Sequence, residues 1–347
     1  GTTLSAGSLV GTTSSLQGAI VTSAGTVVTF NQATAGTYAG NLSGSGSLTK
    51  LGSGELTVSS ANSYTGLTWV REGTLASGTA NAFAAASSLT VDSGATFDRA
   101  GHSQTLADVD VIGTVGNTGG GGLLTVTGLL NGTGSIVGDV LTTGSFQGSQ
   151  SITGDVEVRG VHAPGNSAGI QSISGNLSYT SGGSGPSVAW ELFANTDSNV
   201  GTTSFDQILV GGNLSYATAT SFSLAFNGLG STVDWSDAFW ATNEQWVVWS
   251  VTGSTTGIGN LSLTGTDWLD ANGQSLSTSR AGSSFSLGLG ANGKDVVLSY
   301  LNSAPVPEID PAGIGSVLAL VTGVFALLER RRVKLNVAVV PPLARRR

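Results

Sequence analysis

The chain has no cysteine and no methionine in 347 residues, only two histidines and seven prolines, and 10% charged residues where an average domain carries about a quarter. Without cysteine there is no disulfide framework, no thiol nucleophile and no thiolate metal site. With so few prolines, and no strict third-residue glycine period, collagen is excluded. The missing methionine removes even an initiator, which leads one to expect a matured or partial chain whose signal peptide, if it had one, is gone. With His102 and His162 as the whole histidine complement, a zinc site would need carboxylate help, and the acids show no metal-ligand spacing. Neither a metal nor a cofactor is therefore expected.

Glycine is abundant instead, at 53 residues or about 15% of the chain, roughly twice ordinary usage. A hydrophobic content of 39% and a mean hydropathy of +0.20 are too apolar for a chain that stays unfolded in water. The net charge of −8 conceals a division at Pro305. Residues 1–305 carry 6 basic and 18 acidic side chains, whereas residues 306–347 carry 7 basic and 3 acidic. A sparsely charged acidic body offers nothing to a phosphate backbone, so nucleic acid is not an expected partner.

Short β-favouring runs such as Thr26-Val27-Val28-Thr29-Phe30 and Ser88-Leu89-Thr90-Val91 alternate with Gly, Ser and Asn breaks, and no 3.6-residue period of any length appears. The pattern predicts an all-β solenoid over residues 1–175. Each coil of a solenoid buries its apolar face only by stacking on its neighbours. Five of the seven tryptophans fall between Trp235 and Trp268, which predicts a β-rich region over 176–303 with a larger aromatic core, and a soft boundary near residue 175. The body is expected to close with a hairpin through Ser284–Leu289 and Asp295–Tyr300, turning at Asn292-Gly293.

One stretch is more specific: Leu48-Thr49-Lys50-Leu51-Gly52-Ser53-Gly54-Glu55-Leu56-Thr57-Val58, then Asn62-Ser63-Tyr64-Thr65-Gly66, then Thr68-Trp69-Val70-Arg71-Glu72-Gly73-Thr74-Leu75. It resembles the autotransporter-associated β-strand repeat in almost every position. Read physically, it is three strands joined by glycine turns, with Asn62 and Tyr64 shaping the turn into the second strand and Arg71 and Glu72 on the solvated face. The resemblance implies a right-handed parallel β-helix and a surface-exposed, non-catalytic passenger. A later block, Val161 to Ile170 and on through Trp190-Glu191-Leu192 to Phe205-Asp206-Gln207-Ile208-Leu209-Val210, is similar to a segment of bacterial surface proteins that joins such repeats to a sorting tail; no chemistry attaches to it.

The C-terminal region has its own logic. Residues 312–328 are 17 uncharged residues, long enough to span a bilayer as one helix, and Glu329-Arg330-Arg331-Arg332 with Lys334 follow at once. The basic cluster would hold its end in the cytoplasm and leave the body outside it; a buried core helix is the competing reading. Directly before stands Val306-Pro307-Glu308-Ile309-Asp310-Pro311. Pro-Glu, a short apolar helix and an Arg cluster together resemble the PEP-CTERM sorting domain over residues 306–332, with Ile309 in place of the usual proline and a basic tail over 333–347 where the family normally ends. The resemblance implies an exosortase-type membrane enzyme as partner, recognition through Pro307 and Glu308, a stop at Arg330, Arg331 and Arg332, transient anchorage in the inner membrane, and final placement at the cell surface or in an exopolysaccharide matrix.

Several expressions that could carry chemistry fail in context. Gly165-Asn166-Ser167-Ala168-Gly169 satisfies a nucleophile elbow, but strand-like sequence follows and His162 precedes it. Gly288 to Lys294 satisfies a dinucleotide loop and most of a phosphate loop, but Asp295-Val296-Val297-Leu298 continues as a strand where a helix is required. The pairs Asp108/Asp110 and Asp155/Glu157 are placed to share a strand face, as a polysaccharide hydrolase would need, and equally to be solubilising charge. The leading expectation is a non-enzymatic structural or adhesive surface protein. A carbohydrate-binding surface protein, with Tyr64 and Trp69 stacking on sugar rings, is the alternative, and a polysaccharide-degrading β-helix enzyme is a third.

Overall fold

The computed structural model describes residues 1–165, 168–182, 185–199 and 203–303. The sorting residues Pro307, Glu308, Arg330, Arg331 and Arg332, and the apolar segment 312–328, lie outside the described residues. Within them no helix is long and apolar enough to cross a membrane.

The chain winds as a parallel β-solenoid. In each complete coil it lays down a strand on a first, then a second, then a third face, and then returns one rung further on. The second face is a sheet of twelve parallel strands, from Ser8–Gly11 to Leu261–Leu263. The third begins at Gly36–Tyr38 and stays parallel through Glu244–Val251. The first is split into a three-stranded piece, Thr2–Leu4 to Leu42–Gly44, and a seven-stranded piece, Gln104–Leu106 to Thr255–Thr256. Most strands are three to five residues long because glycine-rich corners interrupt them at that interval.

A three-residue strand with period-two alternation turns its two outer side chains inward and its middle one outward. Parallel, in-register stacking then aligns like residues. Leu124, Val140, Val156, Leu177 and Leu214 follow one another up the first face, all of them buried. On the second face Val91, Val111 and Gly132 do the same. Dispersion and burial accumulate in these columns, which is how coils too thin to hold a core of their own become stable.

The expected boundary near residue 175 does not interrupt the stack. Ile170–Ile173 pairs in parallel with Gln207–Val210, which pairs with Glu244–Val251. Past that rung the architecture changes: Val296–Leu301 adds to Glu244–Val251 antiparallel, with a bulge between Val247 and Trp249, and Ser284–Leu289 closes the hairpin. The turn sits at Asn292-Gly293, with Gly293 at φ +68°, as its sequence predicts. This hairpin covers what would otherwise be an open sheet edge. Beside it, Trp190, Trp235, Trp240 and Trp246 pack edge-on or tilted against one another and against Phe226 and Phe285, all of them buried.

Candidate functional site

The stretch 48–76 folds as one coil resting on part of the next. Ser47–Leu51 and Glu55–Val58 lie on the second and third faces, and Thr68–Val70 and Thr74–Ser77 lie directly over them: Leu48 on Thr68, Thr49 on Trp69, Lys50 on Val70, Leu56 on Leu75. There are thus four strands where three were expected, because the Gly52-Ser53-Gly54 and Arg71-Glu72-Gly73 segments each form a corner.

Lys50 occupies an inward position between Phe30 and Val70, and its side chain is fully enclosed at 0% exposure. Its Nζ donates to the main-chain oxygens of Leu51 at 2.9 Å, Gly52 at 2.6 Å and Glu72 at 3.0 Å. The lysine is therefore an internal clamp on two stacked corners, and burial holds its ammonium below the ordinary lysine range while Glu72 opposes that shift. Arg99 does the same further along: it is buried and donates to the oxygens of Gly122 and Val137 at 3.1 and 2.7 Å. A charge pattern alone could not have found either, because a strand lysine or arginine is ordinarily solvated.

Tyr64 does not face solvent. It is 1% exposed, and its hydroxyl meets Thr68 Oγ1 at 2.5 Å inside the coil, so it is not a surface for sugar stacking. Asn62 is buried beside it and has a larger part than shaping a turn. Its Oδ1 accepts the Leu42 N–H at 2.6 Å, and its Nδ2 donates to the Ala82 oxygen at 2.7 Å. The first face has no strand in these coils, and the carboxamide reinforces the main-chain bonds from Asn62 N to Ala82 O and from Ser63 N to Leu42 O. Gln104, two coils on, makes a similar bridge to the coil before it, accepting from Phe83 N and donating to Phe83 O.

Trp69 is half-buried on the outside of the second face. Its Nε1 donates to Asp92 Oδ1 at 2.9 Å, and the Arg71 guanidinium lies 4.5 Å from its ring centroid. Arg71 and Glu72 are exposed, as expected. The paired carboxylates do not act as pairs. Asp108 Oδ1 caps Leu129 N at a corner, while Asp110 stands outward on the next strand. Asp139 Oδ1 accepts Asp155 N, Asp155 Oδ1 accepts Asn176 N, Asn176 Oδ1 accepts Asn213 N, and Asn213 Oδ1 accepts Ser254 N, so Asp155 is one rung of a corner ladder that ties successive coils. Glu157 instead accepts from Arg159 Nε at 2.7 Å and from the Thr180 hydroxyl.

His162 is fully buried. It stacks on Phe146 with centroids 4.6 Å apart, and its ring nitrogens meet Tyr179 Oη at 2.8 Å and Gln171 Oε1 at 2.6 Å. Burial pushes the imidazole down to about 4. Ser167 lies outside the described residues. His102 follows a turn, its N–H on the Arg99 oxygen. The Gly288 to Lys294 run joins two strands rather than opening a helix, so it has no phosphate-binding N-terminus. Among the described residues no group of three or more His, Asp or Glu side chains lies together to hold a metal ion.

The most unusual carboxyl is Asp206, which nothing in the sequence singled out. It is 1% exposed, and its oxygens accept Gly169 N at 2.9 Å and Glu191 N at 3.0 Å. It borders a cleft of about 200 Å³, shared with Gln147, Ala163, Pro164, Ala189 and Glu191. Burial pushes Asp206 up to about 9, reinforced by the neighbouring Glu191, whose own carboxyl is also raised by burial.

Residues 48–76 match the passenger-associated-transport-repeat family. No curated protein shows a significant match to the sequence. The matched residues are those that build the Lys50 clamp, the Asn62 bridge and the stacked corners.

Proposed function

We propose that this chain is a non-catalytic structural or adhesive protein of the bacterial cell surface. The carrying observation is that the passenger-type repeat at 48–76 folds into coils stacked in register within one continuous parallel solenoid. Lys50 and His162 are satisfied by main-chain oxygens or enclosed side chains, and Arg99 gives both terminal nitrogens to main-chain oxygens, which suits a structural rod better than a reaction centre. The crossover rule for parallel strands gives the coil a right hand.

In this reading delivery proceeds through the tail: an exosortase-type membrane enzyme takes the Pro307-Glu308 signal while 312–328 holds the chain in the inner membrane, with Arg330 to Arg332 as the stop. Intact-mass measurement on protein recovered from the surface of its own host tests this. A mass ending near residue 307 supports it, and a mass retaining the C-terminal residues would make the tail a permanent anchor. Glu308→Ala should leave unprocessed chains in the inner membrane; normal surface delivery of that variant would remove the tail assignment.

A second reading, carbohydrate binding, keeps one observation in its favour. Trp69, Thr90, Asp110 and Asn131 form a row in register up the outside of the second face, with rungs about 4.8 Å apart. An aromatic ring followed by hydrogen-bonding groups suits a polysaccharide laid along the axis, such as a matrix exopolysaccharide. Retention of a ligand on a glycan array that is lost in Trp69→Ala would support it, and an array with no retained ligand would count against it.

A further inference from the structure

The third face of the solenoid is out of step with the other two. The second face has twelve strands and ends at Leu261–Leu263, and the first ends in the same coil at Thr255–Thr256. The third face also has twelve strands but begins one coil later, at Gly36–Tyr38. In the first coil residues 12–16 take its place as a tight turn, with Ser15 N and Leu16 N both on Thr12 O. The third face therefore ends one rung beyond the others, at Ser284–Leu289. One end of the body is a strand short, and the other has a strand to spare.

The spare strand runs in the right direction. Val296–Leu301 is antiparallel to Glu244–Val251, and Ser284–Leu289 is antiparallel to Val296–Leu301, so two reversals leave Ser284–Leu289 parallel to the coil strands of its face. Gly290 N bonds Asp295 O. Alternation from that pair turns Ser284, Ser286 and Gly288 toward Val296–Leu301, and turns the main-chain groups of Phe285, Leu287 and Leu289 to the open side. At the other end Tyr38 O accepts Ser59 N, so Gly36 and Tyr38 bond to Glu55–Val58. The N–H and C=O of Thr37 then point the opposite way, at a pocket of about 450 Å³ bordered by Thr13, Leu16, Gln17, Gly18 and Tyr38.

Neither end carries the charge or proline that blunts an exposed edge. Thr2–Leu4, Ser8–Gly11 and Gly36–Tyr38 at one end, and Thr255–Thr256, Leu261–Leu263 and Ser284–Leu289 at the other, contain no Asp, Glu, Lys, Arg or Pro. Both ends also leave apolar side chains half-buried on the core: Leu4 and Leu9 at the first, Ile258, Leu263 and Leu287 at the second.

We propose that a second copy of this chain stacks on the first head to tail, with the spare Ser284–Leu289 strand of one copy filling the missing place in the third face of the next. With Ser286 set opposite Thr37, Phe285 O accepts the Thr37 N–H and Leu287 N–H donates to Thr37 O. Phe285 and Leu287 then face inward beside Gly36 and Tyr38, while Ser286 and Thr37 face outward, so the alternation of the face is kept. In the same step Thr255–Thr256 comes level with the rung below Thr2–Leu4, and Leu261–Leu263 with the rung below Ser8–Gly11. The two surfaces differ and the step runs along the solenoid axis, so the contact is heterologous and adds copies into a filament. This assembly belongs to the body and does not depend on how the chain is delivered.

The chain has no cysteine, so Thr37→Cys and Ser286→Cys introduced together report this contact alone. Within one copy the two positions stand at opposite edges of the twelve-stranded sheet, about 50 Å apart, too far for an internal disulfide. Mild oxidation of the full-length double variant should give a ladder of dimers, trimers and longer species on a non-reducing gel. An equimolar mixture of the two single variants should give dimers, and each alone should stay monomeric. Leu287→Lys, which puts a charge on the inward side of the spare strand, should abolish the ladder; if it fails to fold, the mixed single variants still decide. A double variant that stays monomeric, a single variant that dimerises as readily as the mixture, or a ladder that persists in folded Leu287→Lys would each overturn the proposal.

Discussion

The ammonium of Lys50 donates to the main-chain oxygen of Glu72, 3.0 Å away and one coil further along, so a lysine inside the solenoid ties the corner of its own coil to the corner above it. Two long-range constraints meet at this contact, because Glu72 in turn accepts the Gly52 N–H at 3.0 Å through Oε2. Corners are the part of a solenoid least held by strand ladders, and an interior cation that collects their carbonyls compensates for that.

Replacing Lys50 with Met keeps the apolar stem and removes the donor. Leu51 O keeps the Gln32 N–H, while the Gly52 and Glu72 oxygens lose the ammonium. The expected loss is about 2–3 kcal/mol in denaturant unfolding. A loss below about 0.5 kcal/mol, the range of ordinary surface substitutions, would show the clamp to be idle.

Two glycines with the same requirement for positive φ should behave differently. Gly132 has φ +122°, and a Cβ there would meet Val111 O at 2.1 Å, an oxygen that also accepts Thr133 N and Gly134 N. Gly94 has φ +78° with nothing within 4 Å of a Cβ. Gly94→Ala should cost roughly 1–2 kcal/mol of backbone strain alone, and Gly132→Ala clearly more, since a coil must shift. Equal melting temperatures for the two variants would contradict the stacking geometry.

The rhythm of short strands and glycine corners was legible in the sequence, as were the closing hairpin and the enclosed Trp cluster, because period-two alternation and Asn-Gly are local signals. What was not legible depends on which coil a residue stacks upon. Tyr64 reads as an exposed aromatic because its neighbours Ser63 and Thr65 are polar and exposed, yet the coil turns it inward onto Thr68. Residue 175 looked like a boundary because composition changes there, but the ladder of Asp155, Asn176 and Asn213 crosses it without a break. Asp206 gave no signal, since an acid beside a strand is normally solvated. Only its enclosure against Gly169 and Glu191 removes the water.

The Asn62 carboxamide bridges the coils on either side of its own, so its loss should be felt in both. Asn62→Ala leaves Leu42 N without its acceptor and removes one of two donors to Ala82 O, which keeps the Asn62 N–H, and should cost about 1–3 kcal/mol. Asn62→Asp should cost more at neutral pH than at pH 4. An ionised carboxylate would face the oxygens of Ala82 and Ser60, which Nδ2 now satisfies. An aspartate variant as stable as the alanine one at pH 7 would mean that water reaches this bridge.

His162 and Asp206 should give the body opposing responses to pH. The imidazole is at about 4 in the folded chain and near 6.5 when unfolded, so between those values the unfolded chain binds the extra proton. Stability from His162 is complete above about 6.5 and is lost as pH falls toward 4, by up to about 3 kcal/mol. Asp206 is raised instead, from 3.8 to about 9, so the folded chain binds the extra proton and stability declines as pH rises across that interval. The two slopes offset each other between roughly pH 4 and 6.5 and leave only the declining one above. Unfolding midpoints taken from pH 4 to 9 should therefore be nearly flat and then fall. In His162→Gln, which keeps a hydrogen-bonding group beside Tyr179 and Gln171, the flat part should become a fall that begins at pH 4. If the variant and wild-type curves run parallel from pH 4 to 6.5, the histidine is not held neutral inside the coil.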